Sequence, residues 1–413
     1  MKTKTLQDFR EDWEKKKLSE VIAVNDYPNL EKGKEHTFVP MKKLNVNQRK
    51  IEGTESKVYK YGAPRFQNGD TLFVKMVRSL RNGKTAYVDV LDEGEIAFGS
   101  TEFYVLTPKE EVTPKFVYYT MRREDIRQKA MKWSSGSTAR RERVPSDFFD
   151  KTEIEIPPKE EQKQIVEILD SLDSKIETNS KINSILEEFA ETLFKSWFVE
   201  FEPFEDFKDS ELGKIPTEFE VGKVEDFGKV ICGGTPSKDD EKNFGGDIPF
   251  ITVEDIEGPY VNETEETLTE EGAEPQESKE LQEGAVCVSC VATIGRTCIT
   301  KERCYTNQQI NSIVSKDYSP YFIYFYMSHA AERLEKVTGS GSTYNYISKG
   351  DFSKFEVLLP PPEKANEFGE LVKPLMEKIK ANQEENEKLR KTRDMLLPKL
   401  MSGEIRVNVD GDE

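Results

Sequence analysis

The chain is 413 residues long and carries 60 basic against 78 acidic side chains, a formal net charge of −18, while 36% of it is hydrophobic and 10% aromatic. That length and composition suit two or three folded domains with cores of their own and exclude a disordered chain. No apolar run approaches the roughly 18 residues of a membrane span, and the opening MKTKTLQDFREDWEKKK lacks the apolar centre of a secretory signal, so a cytoplasmic protein with no membrane partner is expected.

The charge is uneven. Counted along the sequence, residues 1–150 hold 29 basic and 23 acidic side chains, whereas residues 206–360 hold 15 and 29. In the first stretch, NGDTLFV (68–74) reads as a glycine turn leading into an apolar strand, and Lys75, Arg78, Arg81 and Lys84 gather around a hairpin turn predicted at Asn82-Gly83. SSGSTARRER (134–143) follows, a Gly/Ser loop running through Ser135, Gly136, Ser137 and Thr138 into Arg140, Arg141 and Arg143. A short strand then ends in prolines, EIEIPP (153–158), and a long charged helix begins.

The same order of features returns about 205 residues later. Trp13-Glu14-Lys15-Lys16-Lys17-Leu18 matches Phe219-Glu220-Val221-Gly222-Lys223-Val224, and EGAVCVS (283–289) matches NGDTLFV. The second Gly/Ser loop, GSGSTYNYI (339–347), sits where the first one does, ahead of FEVLLPPP (355–362) and another long helix. This period is far too long for a solenoid and describes two copies of one domain, each followed by a helix. Between the matched pieces, Glu254 to Glu283 holds twelve acids against the single Lys279, a run that phosphates would avoid. Cys287 and Cys290 lie in a β-prone stretch where residues three apart face opposite sides, so a zinc site with Cys298 and Cys304 is not expected.

The two helices carry the sharpest pattern. Alternating steps of four and three after Pro158 give Ile165, Leu169, Leu172, Ile176, Asn179, Asn183, Leu186, Ala190, Leu193 and Trp197. After Pro362 they give Phe368, Val372, Leu375, Ile379, Asn382, Asn386, Leu389, Arg393, Leu396 and Leu400. This is a coiled-coil seam in which Asn179, Asn183, Asn382 and Asn386 set the register. Antiparallel pairing of Asn179 with Asn386 and of Asn183 with Asn382 makes partner numbers sum to 565 and closes the whole seam. A parallel pairing would also match the Asn layers; two-fold symmetry between the repeats favours the antiparallel one. Pro374 and Pro398 are expected to kink or end the second helix, and Arg393 departs from the apolar seam. From 165 to 197 a helix spans roughly 48 Å. The expected fold is therefore α+β: two similar mixed α/β domains separated by two long helices in an antiparallel coiled coil, with pseudo-two-fold symmetry.

Two heads on such a strut suit a bipartite duplex target. The basic residues around 75–84 and 140–143 offer phosphate contacts, Arg also reads guanine edges, and glycine lets a backbone approach closely. The second head lacks that arginine cluster. Its candidates are Gly233, Gly234, Thr235, Gln308, Gln309, and the loop residues Ser340, Gly341, Ser342, Thr343, Tyr344 and Asn345, amides being suited to adenine edges.

At this point the sequence resembles the specificity subunits of type I restriction–modification systems. The resemblance runs through nearly the whole chain and rests on residues 156–201, ELGKIPTEFEVGKVEDF (211–227), GGTPS (233–237) with GDIPFITVEDI (246–256), TNQQINSI (306–313) and MLLPKLMSGEI (395–405). It implies two target recognition domains, residues 1–155 and 206–358, alternating with two helical regions, 156–205 and 359–413. Each domain would read one half of a split double-stranded DNA sequence, and the coiled coil would set the gap and dock two methyltransferase subunits. Restriction subunits would join in the full complex. Two features depart from the pattern: the acidity of the second head, and the absence of a GGTPS-like segment from residues 20–60 of the first.

The chain shows no adenine-methyltransferase tetrapeptide, no GxxxxGK[ST] phosphate loop and no catalytic triad, so a non-catalytic subunit without cofactor or metal is expected. S-adenosylmethionine, ATP and magnesium would belong to partner subunits. Phe198, Phe201 and Phe204 are candidates for exposed docking residues. The competing reading is an adaptor that pairs two protein-binding heads without touching DNA, and salt-dependent duplex binding separates the two.

Overall fold

A computed structural model describes residues 12–46, 48–134, 142–337 and 346–407. Its contacts divide into two units, Met1–Glu177 with Lys388–Glu413, and Thr178–Glu387.

In the first unit Glu14–Lys17 pairs antiparallel with Glu153–Ile156, with Glu14 opposite Ile156. The chain then turns through Leu18–Val21, where the Lys17 backbone N–H donates to the Glu20 carboxylate (2.6 Å). An antiparallel sheet follows in the order Ile22–Val24, Phe103–Pro108, Thr71–Val74, Thr85–Tyr87. All four residues of Thr71–Val74 are buried, as a short continuous apolar run predicts for a strand covered on both faces. A second sheet, Glu55–Val58, Glu35–Val39, Ala97–Gly99, Arg65–Phe66, contains one parallel pair, Glu35–Val39 with Ala97–Gly99. Helix Pro114–Arg122 begins with proline, whose missing N–H a first helical turn does not need, and buries Phe116 through Met121.

The second unit repeats this plan. Glu220–Lys223 pairs with Glu356–Leu359 in the same register, Glu220 opposite Leu359. The Lys223 N–H donates to Asp226 (2.7 Å), as Lys17 does to Glu20. The main sheet again runs first strand, last strand, central strand, hairpin partner: Lys229–Cys232, Ile310–Val314, Val286–Ser289, Thr297–Ile299. The side sheet Glu266–Leu268, Phe244–Ile251, Tyr305–Thr306 keeps the antiparallel and the parallel pair. The counterpart of Pro114–Arg122 is Pro320–His329, and the two align as PKFVYYTM and PYFIYFYM. Duplication is thus a property of hydrogen-bond registers as well as of sequence.

The long helices are Lys159–Phe198 and Pro362–Met401. The second one continues through both Pro374 and Pro398, so neither proline ends it. Buried neighbours on both sides, Val372 and Met376 at one proline and Leu397 and Leu400 at the other, hold the flanking turns in place. Within the second unit Asn179 Nδ2 donates to Asn386 Oδ1 (2.9 Å), Asn382 Nδ2 donates to Asn183 Oδ1 (2.8 Å), and Trp197 meets Phe368 with ring centroids 6.2 Å apart. Within the first unit Ile165, Leu169, Leu397 and Leu400 share one core. In the second unit, therefore, the helix segments pair antiparallel in the register the asparagines predicted.

Each head is tied to its own helix segment. In the first unit the Arg49 guanidinium forks onto Glu177 (3.1 and 2.9 Å) and also pairs with Asp170, which takes Lys115 as well (2.7 Å). Trp13 Nε1 donates to the buried Glu161 (3.0 Å). In the second unit the tie is mainly aromatic: Phe194 and Phe198 lie among Phe322, Phe325, Tyr326 and Phe368, with Tyr324 donating to Glu187 (2.7 Å). Phe198, 5% exposed, is part of the second unit's own core, and Phe201 and Phe204, half-buried, pack on Phe219 at its margin.

Candidate nucleic-acid interface

The Gly/Ser loop residues Ser135, Gly136, Ser137, Thr138, Arg140, Arg141, Ser340, Gly341, Ser342, Thr343, Tyr344 and Asn345 lie outside the described residues. Their flanks are described, and they meet the rest of each head in the same way. Arg143 forms an isolated antiparallel bridge with Met76, two residues beyond the central strand of the first head. Tyr346, 203 positions later, forms the same bridge with Val291, two residues beyond the central strand of the second. The backbone N–H of Val144 donates to Lys75 O (2.9 Å), and that of Ile347 to Cys290 O (2.9 Å). On their other side, Lys75 N–H donates to Glu102 O (2.8 Å) and Cys290 N–H to Gln309 O (2.8 Å). One edge of each head, at the end of its central strand, therefore gathers the loop flank and the segment carrying Glu102 or Gln309.

In the first head this edge holds the predicted basic cluster, arranged differently from the expectation. Thr71–Val74 and Thr85–Tyr87 do pair antiparallel, but a helix, Val77–Arg81, joins them in place of a tight hairpin turn. Val77 and Leu80, three apart, are both buried, and that spacing selects a helix. Asn82-Gly83 ends it: Gly83 takes φ +74° and its N–H donates to Leu80 O (2.9 Å), the left-handed glycine exit of a helix. Arg78 and Arg81 stand exposed on this helix, and Lys84 is half-buried. Lys75 and Arg143 are engaged within the protein. The Lys75 ammonium donates to Thr101 O (2.8 Å) and lies 4.8 Å from the Tyr104 ring centre. Burial holds its pKa below the usual lysine value, and the nearby Arg143 acts the same way. Arg143 forks onto Glu102 (2.9 and 2.8 Å). Of the described cations here, Arg78 and Arg81 are the most accessible to a phosphate or a base edge.

In the second head the predicted residues come together. Gly234 N–H donates to Thr306 O (2.8 Å) and Gly233 N–H to Ile310 O (3.1 Å). Thr235 Oγ1 donates to Gln308 Oε1 (2.5 Å). Gln308 is exposed, and Gln309 accepts from Asn307 Nδ2 (3.2 Å). The GGTPS turn needs glycine because the Asn307 carbonyl passes where a Cβ at position 233 would stand. The N–H groups of both glycines are bonded within the head, so Gly233-Gly234 is a close-approach turn.

The cysteines follow strand geometry. Cys287 shares a core with Cys298 and Cys304, Cys290 lies in a different one, and burial pushes the Cys290 thiol up to about 11. Among the described residues no group of three or more His, Cys, Asp or Glu is arranged to hold a metal, and no helix is long and apolar enough to cross a membrane.

Two copies of one α+β head, each with its loop flank at the end of the central strand and each seated on its own stretch of paired helix, define a duplicated, two-headed protein with helical connectors. The sequence profile of the type I restriction modification DNA specificity domain matches residues 10–188 and again 216–391. The type I restriction enzyme HindI specificity subunit of Haemophilus influenzae is 28% identical over 403 residues, covering 82% of this chain and 87% of that protein. The MjaIX specificity subunit of Methanocaldococcus jannaschii is 30% identical over 314 residues, covering 74% and 72%. The crystal structure of a type I restriction–modification S subunit from M. genitalium shares the fold, with a TM-score of 0.56 at 15% identity over 94% of this chain and 96% of that one. The chain belongs to the family of type I restriction–modification specificity subunits, whose role is DNA sequence recognition.

Proposed function

We propose that this chain is the sequence-reading subunit of a type I restriction–modification complex, and that each head reads one half of a split double-stranded site. The recognition domains are residues 1–155 and 206–358; the helical regions, 156–205 and 359–413, set the unspecified gap and dock two methyltransferase subunits. Restriction subunits complete the nuclease. Methyl transfer and ATP-driven cleavage, with their S-adenosylmethionine, ATP and magnesium, reside in those partners. The observation that carries this reading is the repeated edge. Two heads of one fold bring a Gly/Ser loop flank beside corresponding segments, yet line them with different chemistry, exposed Arg78 and Arg81 in one head and Gln308 and Gln309 in the other. Equal scaffolds with unequal surfaces suit the reading of two different half-sites.

Mapping N6-methyladenine in the native genome, with and without the gene, tests the proposal. A bipartite methylated sequence present in the parent and lost on deletion is expected. A methylation map left unchanged in a strain with an active partner methyltransferase would contradict it.

A further inference from the structure

The run Glu254 to Glu283 makes the second head a poor phosphate binder by composition. The structure shows where much of that charge goes. Glu270 and Glu280 both hold Arg303 (2.7 Å each), Glu266 holds Lys238 (2.8 Å) and Glu283 holds Lys380 (2.9 Å). Asp255 accepts from the Thr252 N–H and hydroxyl (2.7 and 2.8 Å). Lys279 pairs with no carboxylate among the described residues. Its ammonium donates to Gln276 Oε1 (3.4 Å) and lies directly against Gly234, where a Cβ would overlap it.

Gln276 is the second observation. It is 7% exposed, and its Nε2 has no hydrogen-bond partner among the described residues. An unpartnered buried amide is costly and calls for an explanation. Both residues lie on the segment Glu274–Lys279, which is kinked at Gln276 (φ −120°, ψ 16°), and both the Lys279 ammonium and Gln276 Oε1 stand against Gly234, so the hydrogen bond between them holds the cation at the glycine turn. Gly234 is bonded to Thr306, and Thr235 to Gln308, so this cation stands on the same edge as the amides assigned to base reading.

We propose that Lys279, positioned by Gln276 over Gly233-Gly234-Thr235, is a cation through which the acidic second head contacts a DNA backbone phosphate. The proposal rests on the DNA-reading function above. A phosphate contact is sequence-independent and releases counterions, so it is read as a salt slope. The assay uses the full chain with its methyltransferase partner, on duplex carrying the mapped site, over a series of sodium chloride concentrations.

Lys279→Gln is expected to lower the slope of log affinity against log salt by about 1. That slope corresponds to a loss of roughly fifteenfold in affinity at about 50 mM salt, shrinking to roughly fourfold at about 200 mM. The methylated sequence stays the same, and Lys279→Arg restores the slope, which a folding defect would not allow. A wild-type slope in Lys279→Gln would overturn the inference while leaving the DNA-reading function standing. An altered second half-site at unchanged slope would also overturn it, by assigning the residue to a base edge. Wild-type complex that binds duplex without salt dependence would overturn both.

Discussion

Asp173→Ala is expected to destabilise the first unit by about 3–5 kcal/mol, the usual cost of removing one partner from a buried ion pair. Asp173 and Arg393 are 3% and 1% exposed, and Arg393 Nη1 donates to Asp173 Oδ1 at 2.6 Å. Tyr119 donates its hydroxyl to Oδ2 (2.9 Å), Arg122 comes within 3.9 Å of the same oxygen, and Arg122 also donates to Tyr118 (3.1 Å). Burial, and then the Asp173 charge, push the Tyr119 phenol far above its ordinary pKa, and burial pushes that of Tyr118 up to about 12. Burial alone would disfavour the Arg393 cation, but Asp173 and Asp394 more than offset that and raise its pKa. Deleting the carboxylate removes the buried charge that Arg393 and Arg122 share and the acceptor of the Tyr119 hydroxyl, while Asp394 still faces Arg393 (2.9 Å). Asp173→Leu combined with Arg393→Met is expected to lose much less, because it removes both charges together. Urea unfolding of the two variants checks this. Near-equal losses would mean that the pair is solvated and of little consequence.

Phe194→Ala is expected to cost the second unit a similar amount, about 3–5 kcal/mol, through the cavity it opens. Phe194 is 1% exposed, with ring centroids of Phe198 at 5.3 Å, Phe368 at 5.9 Å, Phe322 at 6.1 Å and Phe325 at 6.2 Å. Phe189, five residues earlier on the same helix, is 54% exposed, and Phe189→Ala is expected to change stability by less than about 0.5 kcal/mol. Thermal unfolding of both variants separates a packed aromatic junction from a loose one. Equal shifts would refute the packed junction.

The contrast between these two residues shows what was legible in the sequence. Periodicity marked both long helices, and the Asn steps gave their register, because a polar residue on an apolar seam is informative only when its partner is also polar. Asn179 with Asn386 and Asn183 with Asn382 meet that condition. Arg393 did not, because its partner Asp173 sits one residue off the seam and is buried by Tyr119 of the head, a tertiary effect with no heptad signature. Phe198 is core for the same kind of reason: an aromatic at a helix end reads identically whether a partner subunit or the next domain covers it.

The candidate interface was half legible. Composition located the basic residues near 75–84, but not that Lys75 and Arg143 are held by Thr101 and Glu102. Glycine at 233 and 234 signalled a special backbone, and only the fold distinguishes a close-packed turn from a phosphate cradle. Lys279 was missed because its neighbours in sequence are acidic, while its neighbours in space are Gln276 and Gly234.

The most direct test exchanges residues 1–155 of the full chain for those of a relative with a different recognition sequence and maps methyladenine in the same host. Independent heads predict a new first half-site with the second half and the gap retained. Simultaneous change of both halves would contradict the account.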